Sequence, residues 1–267
     1  MFVMIRGAGD LASGVALRLV HAGFSVAMTE TAFPTAVRRT VCFSPAVREG
    51  ICSVEDVTAV LVRDKEGMED AFARGRIALF VDPRGEALGQ FHPGAVVDAI
   101  MAKRNTGTAI SDAPVVIALG PGFTAGLDCH AVVETNRGHT LGRLITRGGA
   151  MANTGIPGSV GGYTLERLLR APADGVFECR AEIGDLVKRG DIVAAVAGIP
   201  IRPEIDGILR GLLPPGIPVF KGMKAGDVDP RCERSHCFTV SDKALAVAGG
   251  VLEGILRFRH AAPETPP

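Results

Sequence analysis

The sequence predicts an α/β fold: an N-terminal Rossmann-like parallel sheet, then a small β barrel-sandwich module of biotinyl/lipoyl type and a C-terminal helix. Three observations predict it. Short β-branched runs alternate with helical stretches through the first half. A glycine-rich turn follows the first of those runs, and a segment of the second half repeats at a constant 32-residue offset. The implied organisation is a nucleotide- or cofactor-binding domain over 1–168, a β module over 169–232, and over 233–267 a helix that packs back on the body, with a disordered tail.

Taken in order, "FVMIRG" (2–7) reads as a strand running into "GAGDLASG", and the helical spacing of Leu11, Val15, Leu17, Leu19 and Val20 follows. "FSVAMTE" (24–30) reads as the second strand, completing a βαβ unit. Gly7 and Gly9 take the first two places of G-x-G-x-x-G/A and Ala12 the third. The first glycine permits the tight turn, the second admits a pyrophosphate, and the small third residue lets helix pack on strand. Glu30, ending the second strand, is placed to accept hydrogen bonds from a ribose diol. Asp10 puts a carboxylate where a phosphate would sit, which sets a scaffold without dinucleotide beside the NAD(P)-binding reading.

"VTAVLV" (57–62), "IALFV" (77–81) and "PVVIAL" (114–119) read as further buried strands, with "EGMEDAFARG" (66–75) and "GAVVDAIMAKR" (94–104) as helices between them. "DPRG" (82–85) and "GPGF" (120–123) then fall on the same sheet edge as "GAGD". That edge, beyond the carboxyl ends of the strands, is where such sheets bind ligands.

Past "GPGF", residues 128–135 read as a strand with Asp128, His130 and Glu134 on one face. Such a face suits a divalent metal or proton handling, and a solvated edge strand explains it as well; no metal is assigned. Arg137 and His139 add cations suited to phosphate. Gly7, Gly9, Asp10, Ala12, Glu30, Gly120, Gly122, Phe123, Asp128, His130, Glu134, Arg137 and His139 are therefore the candidate cofactor-binding residues. The glycine-dense stretch 146–163 offers backbone N–H groups to the same ligand, with an interdomain linker as the alternative.

In the second half, "DGVFECRAEIGDLVKRG" (174–190) and "DGILRGLLPPGIPVFKG" (206–222) align without a gap. The connection between them, "AVAGIPIRPEI" (195–205), has no lysine, which argues against a covalent biotin or lipoyl and for a docking or lid role. Ser241 or Asp242 caps a helix over 241–258.

Composition narrows the function. Twenty-nine basic and 29 acidic side chains cancel, and with no Trp and one Tyr there is neither a cationic surface nor a stacking platform for nucleic acid. No apolar run reaches the length of a membrane span and the start carries no leader, so a cytoplasmic protein with free thiols is expected.

"GAGDLASG", "GPGFTAGLDCHAVVETNRGH", "NTGIPG", "GDVDPR" and "SDKALAVAGGVLEGIL" together resemble one family over about residues 5–257. It is the YqeB-type accessory proteins of selenium-dependent molybdenum hydroxylases, related in context to the XdhC/CoxF maturation factors. The resemblance implies a maturation role beside a xanthine-dehydrogenase-like molybdenum hydroxylase and binding of a molybdopterin-type cofactor. An NAD(P)-dependent oxidoreductase is the alternative, and catalysis and a homo-oligomer are both left open.

Overall fold

The computed structural model describes residues 1–259; the expected disordered tail lies outside them. The chain forms two compact units, one of residues 1–34, 42–153 and 240–259, the other of residues 35–41 and 154–239.

The first unit is built on nine strands: β1 (Phe2–Arg6), β2 (Ser25–Glu30), β3 (Ile51–Val54), β4 (Val57–Leu61), β5 (Ile77–Val81), β6 (Ala95–Asp98), β7 (Val116–Leu119), β8 (Ala131–Val133) and β9 (Leu144–Ile145). Their order is β3-β4-β5-β2-β1-β6-β7-β8-β9. The seven inner strands run parallel, while β3 and β9 are antiparallel to their neighbours. The expected parallel sheet is thus a mixed one. The edges are hairpins because Glu55–Asp56 and the 134–143 turn are too short for the crossover that a parallel pair needs.

Four helices lie within this stretch: α1 (Asp10–His21), α2 (Ala46–Glu49), α3 (Lys65–Ala73) and α4 (Glu86–Phe91). A fifth, α5 (Asp242–Phe258), starts where Ser241 Oγ accepts the Ala244 N–H at 3.2 Å. It buries Ala244, Val247, Ala248, Val251 and Ile255, one stripe at helical spacing. Each of Val247, Val251 and Ile255 contributes roughly 1.5–3 kcal/mol by that burial.

The helix expected over 94–104 is not formed. Its apolar run is β6, all four residues of which are buried between β1 and β7. Pairing on both sides outweighs the helical spacing of Val96, Val97 and Ile100, and the chain then leaves the sheet as loop. The strand expected over 128–135 shrinks to β8, because Asp128 and Glu134 turn their carboxylates onto backbone N–H groups at its two ends.

The second unit holds two four-stranded antiparallel sheets. In chain order its strands are β10 (Leu168–Arg170), β11 (Gly175–Cys179), β12 (Leu186–Val187), β13 (Ala194–Val196), β14 (Ile199–Ile201), β15 (Gly207–Leu212), β16 (Pro218–Val219) and β17 (Lys224–Asp229). The sheets are β10-β17-β15-β12 and β14-β13-β11-β16. The 32-residue offset that relates β11 to β15 also relates β10 to β14 and β12 to β16, so each sheet takes two strands from each copy. The β13–β14 connection turns at Ala197–Gly198.

Beside this unit's core lies a ladder of charges. Arg167 reaches Asp227 at 2.7 Å, Arg210 bridges Asp227 and Asp229, and Arg231 closes on Asp229 at 2.6 Å. Burial alone would raise the Asp229 carboxyl. Hydrogen bonds from the Arg231 side chain and backbone, with the charges of Arg210 and Arg231, outweigh it and bring the pKa to about 2 from an ordinary 3.8.

Two predictions follow from packing and charge. A Cβ at Gly250 would stand 2.2 Å from the Gly142 carbonyl oxygen, whereas one at Gly249 meets nothing within 4 Å. Gly250→Ala is therefore expected to lose about 1–3 kcal/mol in urea unfolding, and Gly249→Ala to gain about 0.5–1 kcal/mol. For Asp229, the lowered folded pKa means a stabilisation complete above pH about 4 and lost as pH falls toward 2. Urea midpoints measured across that window should fall more steeply for the native chain than for Asp229→Asn.

Candidate functional site

The carboxyl ends of the parallel strands bring three loops of the first unit to one edge. The β1–α1 turn, Gly7-Ala8-Gly9, leads that edge. Gly7 has φ of +98°, and a Cβ there would stand 3.0 Å from the Ala99 carbonyl oxygen, so only glycine lets the β1 and β6 exits lie together. Gly9 is the opposite case: its φ is −76° and a Cβ there would meet nothing within 4 Å. The N-terminus of α1 has no side-chain cap, and Ala12 packs in the core behind it.

Glu30 extends from β2 to this turn. Its Oε2 accepts the Ala8 N–H at 3.0 Å and its Oε1 the Thr31 N–H at 2.7 Å. The carboxylate fixes the turn and retains lone pairs for a further donor. Asp10 occupies the first turn of α1 as its acidic residue. Lys243, in the first turn of α5, lies within electrostatic reach of Asp10, Glu134, Arg137 and Asp242. Burial, then the charge of Arg137, lowers its pKa; the three carboxylates oppose them. Among the described residues its ammonium has no hydrogen-bonding or ion-pair partner. Arg137 itself grips Asp242 through both terminal nitrogens, at 2.9 and 3.0 Å.

The remaining candidates serve the architecture. Glu134, buried, accepts the Asn136 N–H at 2.7 Å and the Met151 N–H at 2.8 Å, tying two loops to the end of β8. Asp128 accepts the Thr124 N–H at 2.7 Å. His130 precedes β8, its Nδ1 accepting the Val116 N–H at 3.0 Å while the ring packs 5.7 Å from that of Phe258. Burial lowers its pKa, favouring the neutral ring that can accept. Phe123 is core. A Cβ at Gly122 would meet the Arg104 backbone at 2.6 Å and one at Gly120 the Thr135 hydroxyl at 2.6 Å, so "GPGF" is closed by packing. His139 is exposed. Asp128, His130 and Glu134 therefore all lie outside β8, and no group of three or more His, Cys, Asp or Glu suited to a metal ion occurs among the described residues. The glycine-dense stretch carries the chain from the first unit to the second at residues 153–154.

Sequence reasoning passed over a polar cluster on the same edge. Arg6 ends β1 and Asp98 ends β6, both buried; Arg6 Nη1 lies 3.7 Å from Asp98 Oδ2 and donates to the Thr108 hydroxyl, which donates to Asp98 at 2.6 Å. The available signal was a charged residue closing each of two otherwise apolar strands. "DPRG" stands beside it. Asp82 accepts the N–H groups of Gly85, Glu86 and Ala87 at 2.9–3.0 Å and so starts α4.

Removing the Glu134 tie should loosen both loops. In Glu134→Gln one of the two N–H groups faces an amide donor, costing about 1–3 kcal/mol. Faster hydrogen exchange at Asn136 or Met151, with β1–β2 protection kept, is the expected readout.

Against known proteins, no family model matches the chain. Among solved structures it is similar to the ectoine utilization protein EutE (DoeB) from Ruegeria pomeroyi at 14% identity, covering 76% of this chain and 57% of that one, TM-score 0.25. It is also similar to an aspartoacylase family protein from Mesorhizobium loti at 12% identity, covering 79% and 58%, TM-score 0.26. A succinylglutamate desuccinylase from Silicibacter matches at 11% identity, covering 85% and 84%, TM-score 0.26. These matches are of aspartoacylase and succinylglutamate desuccinylase type, not biotinyl or lipoyl carriers and not molybdenum-hydroxylase maturation factors. The expectations of a biotinyl/lipoyl-type module and of a molybdenum and selenium maturation role find no support among these matches and are withdrawn. At such scores the likeness assigns none of these proteins' activities to this chain. No helix among the described residues is long and apolar enough to cross a membrane. One curated relative, the uncharacterized protein YqeB of Escherichia coli K12, is 52% identical over 258 residues, 97% of this chain and 48% of that protein. The chain is thus a homologue of YqeB, and it spans about half the length of that relative.

Proposed function

We propose that the first unit binds a nucleotide-type ligand, a ribose-linked phosphate ester, at the β1–α1 turn. The observation that carries this reading is the contrast between the glycines of the sheet edge: Gly7, Gly120 and Gly122 are closed by neighbouring atoms, and Gly9 alone of the four opens onto free space at an uncapped helix N-terminus. Glu30, held at the turn by the Ala8 N–H, supplies the acceptor for ribose hydroxyls. Asp10 opposes a phosphate there, and Lys243 is the cation that offsets it. NAD(P) and free nucleotides share a ribose phosphate ester and are members of this class.

ADP-ribose is the probe. Calorimetric titration of the full chain should give saturable binding. Gly9→Val keeps an ordinary φ and its Cβ meets nothing within 4 Å, so its melting temperature should stay near that of the native chain while affinity falls roughly tenfold or more, about 1.4 kcal/mol. Heatless titrations with a folded native chain, or equal affinity in Gly9→Val, would sink the reading.

A further inference from the structure

We infer that Arg6 anchors the carboxylate of a small acidic ligand at the carboxyl ends of β1 and β6. This deepens the preceding proposal, on which it rests only for the choice of sheet edge.

An arginine presents five N–H donors in a rigid fork. The Arg6 side chain is only 6% exposed, yet just one of its nitrogens is engaged, Nη1, with Thr108 and Asp98. Nε and Nη2 have no acceptor among the described residues, and they are not among the atoms sealed from solvent without a partner. A guanidinium taken this far out of water with its bidentate edge unmatched carries a desolvation cost that a bound oxyanion relieves.

One face of the guanidinium is left uncovered. A Cβ at Gly85 would stand 3.6 Å from Nη2 and 3.7 Å from both Cζ and Nε, in contact over that face, so glycine leaves unfilled there the space a side chain would take. Asp82 binds the start of α4 and holds Gly85 in that position. On the other side Thr108 is fixed in turn, its N–H and carbonyl both bonded to the Asn105 amide at 2.8 Å. The guanidinium is thereby held by Thr108 and Asp98 with its opposite edge presented to the ligand.

Charge selects the ligand class. Asp98 offsets one positive charge at 3.7 Å, so a monoanion leaves the cluster with one net negative charge and a phosphate dianion leaves it with two. In a site of low dielectric the second charge is costly. A carboxylate is planar, singly charged and matched to the Nε–Nη2 edge.

The experiment is a titration of the full chain, carrying nitrogen-15 in its arginines, with acetate and separately with inorganic phosphate. The Arg6 Nε–H resonance is assigned by its loss in Arg6→Lys. The expected result is a saturating shift of that resonance with acetate and none with phosphate at equal concentration. Arg6→Lys keeps a cation beside Asp98, so its melting temperature should stay close to native while acetate affinity falls at least tenfold. An unmoved Nε–H at roughly 50 mM acetate, or a phosphate shift as large as that of acetate, overturns the inference. Binding of ADP-ribose alongside a silent Arg6 sinks this proposal and leaves the nucleotide reading standing; an acetate response without ADP-ribose binding does the reverse.

Discussion

The first unit depends on how closely α5 can lie on the sheet and on α1. A Cβ at Gly14 would stand 2.7 Å from that of Ala244, one at Gly250 would overlap the Gly142 carbonyl, and one at Gly254 would press on Ile117 and Leu144 at 2.9 and 3.0 Å. Three glycines, one on α1 and two on α5, thus set the depth at which a helix from the end of the sequence seats. That depth places Lys243 within reach of the β1–α1 turn and Asp242 against Arg137. The seating of a late helix, more than the local turn chemistry, assembles the charged surroundings of the early glycine motif.

Carboxylates on this sheet edge divide their work. Glu134, Asp128 and Asp82 spend their oxygens on backbone N–H groups and act as ties between loops. Glu30 does part of this and keeps capacity for more. Asp98 works through side chains as well, meeting Thr108 and Arg6 while accepting the Ile100 N–H at 3.1 Å. Buried acids cost least when every oxygen has a donor, and the loops of this edge supply the donors.

The β1–α1–β2 unit was legible because each part announces itself locally: an apolar run, a glycine turn, a 3.6-residue period, a second apolar run. β6 was not, since Ala95–Asp98 reads equally well as the first turn of an amphipathic helix and only its two sheet neighbours decide the matter. The alternation of Asp128, His130 and Glu134 was genuine in sequence and misleading in space. Alternation predicts a shared face only while the chain stays extended, and hydrogen bonds to Thr124 and Asn136 mark where it does not. Arg6 and Lys243 escaped notice for a different reason. Their significance lies in partners they lack, and a missing partner leaves no mark in a linear pattern.

In the second unit, β11 pairs with β16 and β12 with β15, so each copy of the repeat completes its sheet with strands of the other. Neither copy holds a closed set of strand pairings by itself. A solitary 32-residue copy would have to borrow its missing neighbours from a second molecule, as an intertwined pair whose stability varies with concentration. Joining the copies through the two-residue turn at Ala197–Gly198 replaces that encounter with a tethered one. The covalent link thereby frees this part of the protein from any dependence on its own abundance.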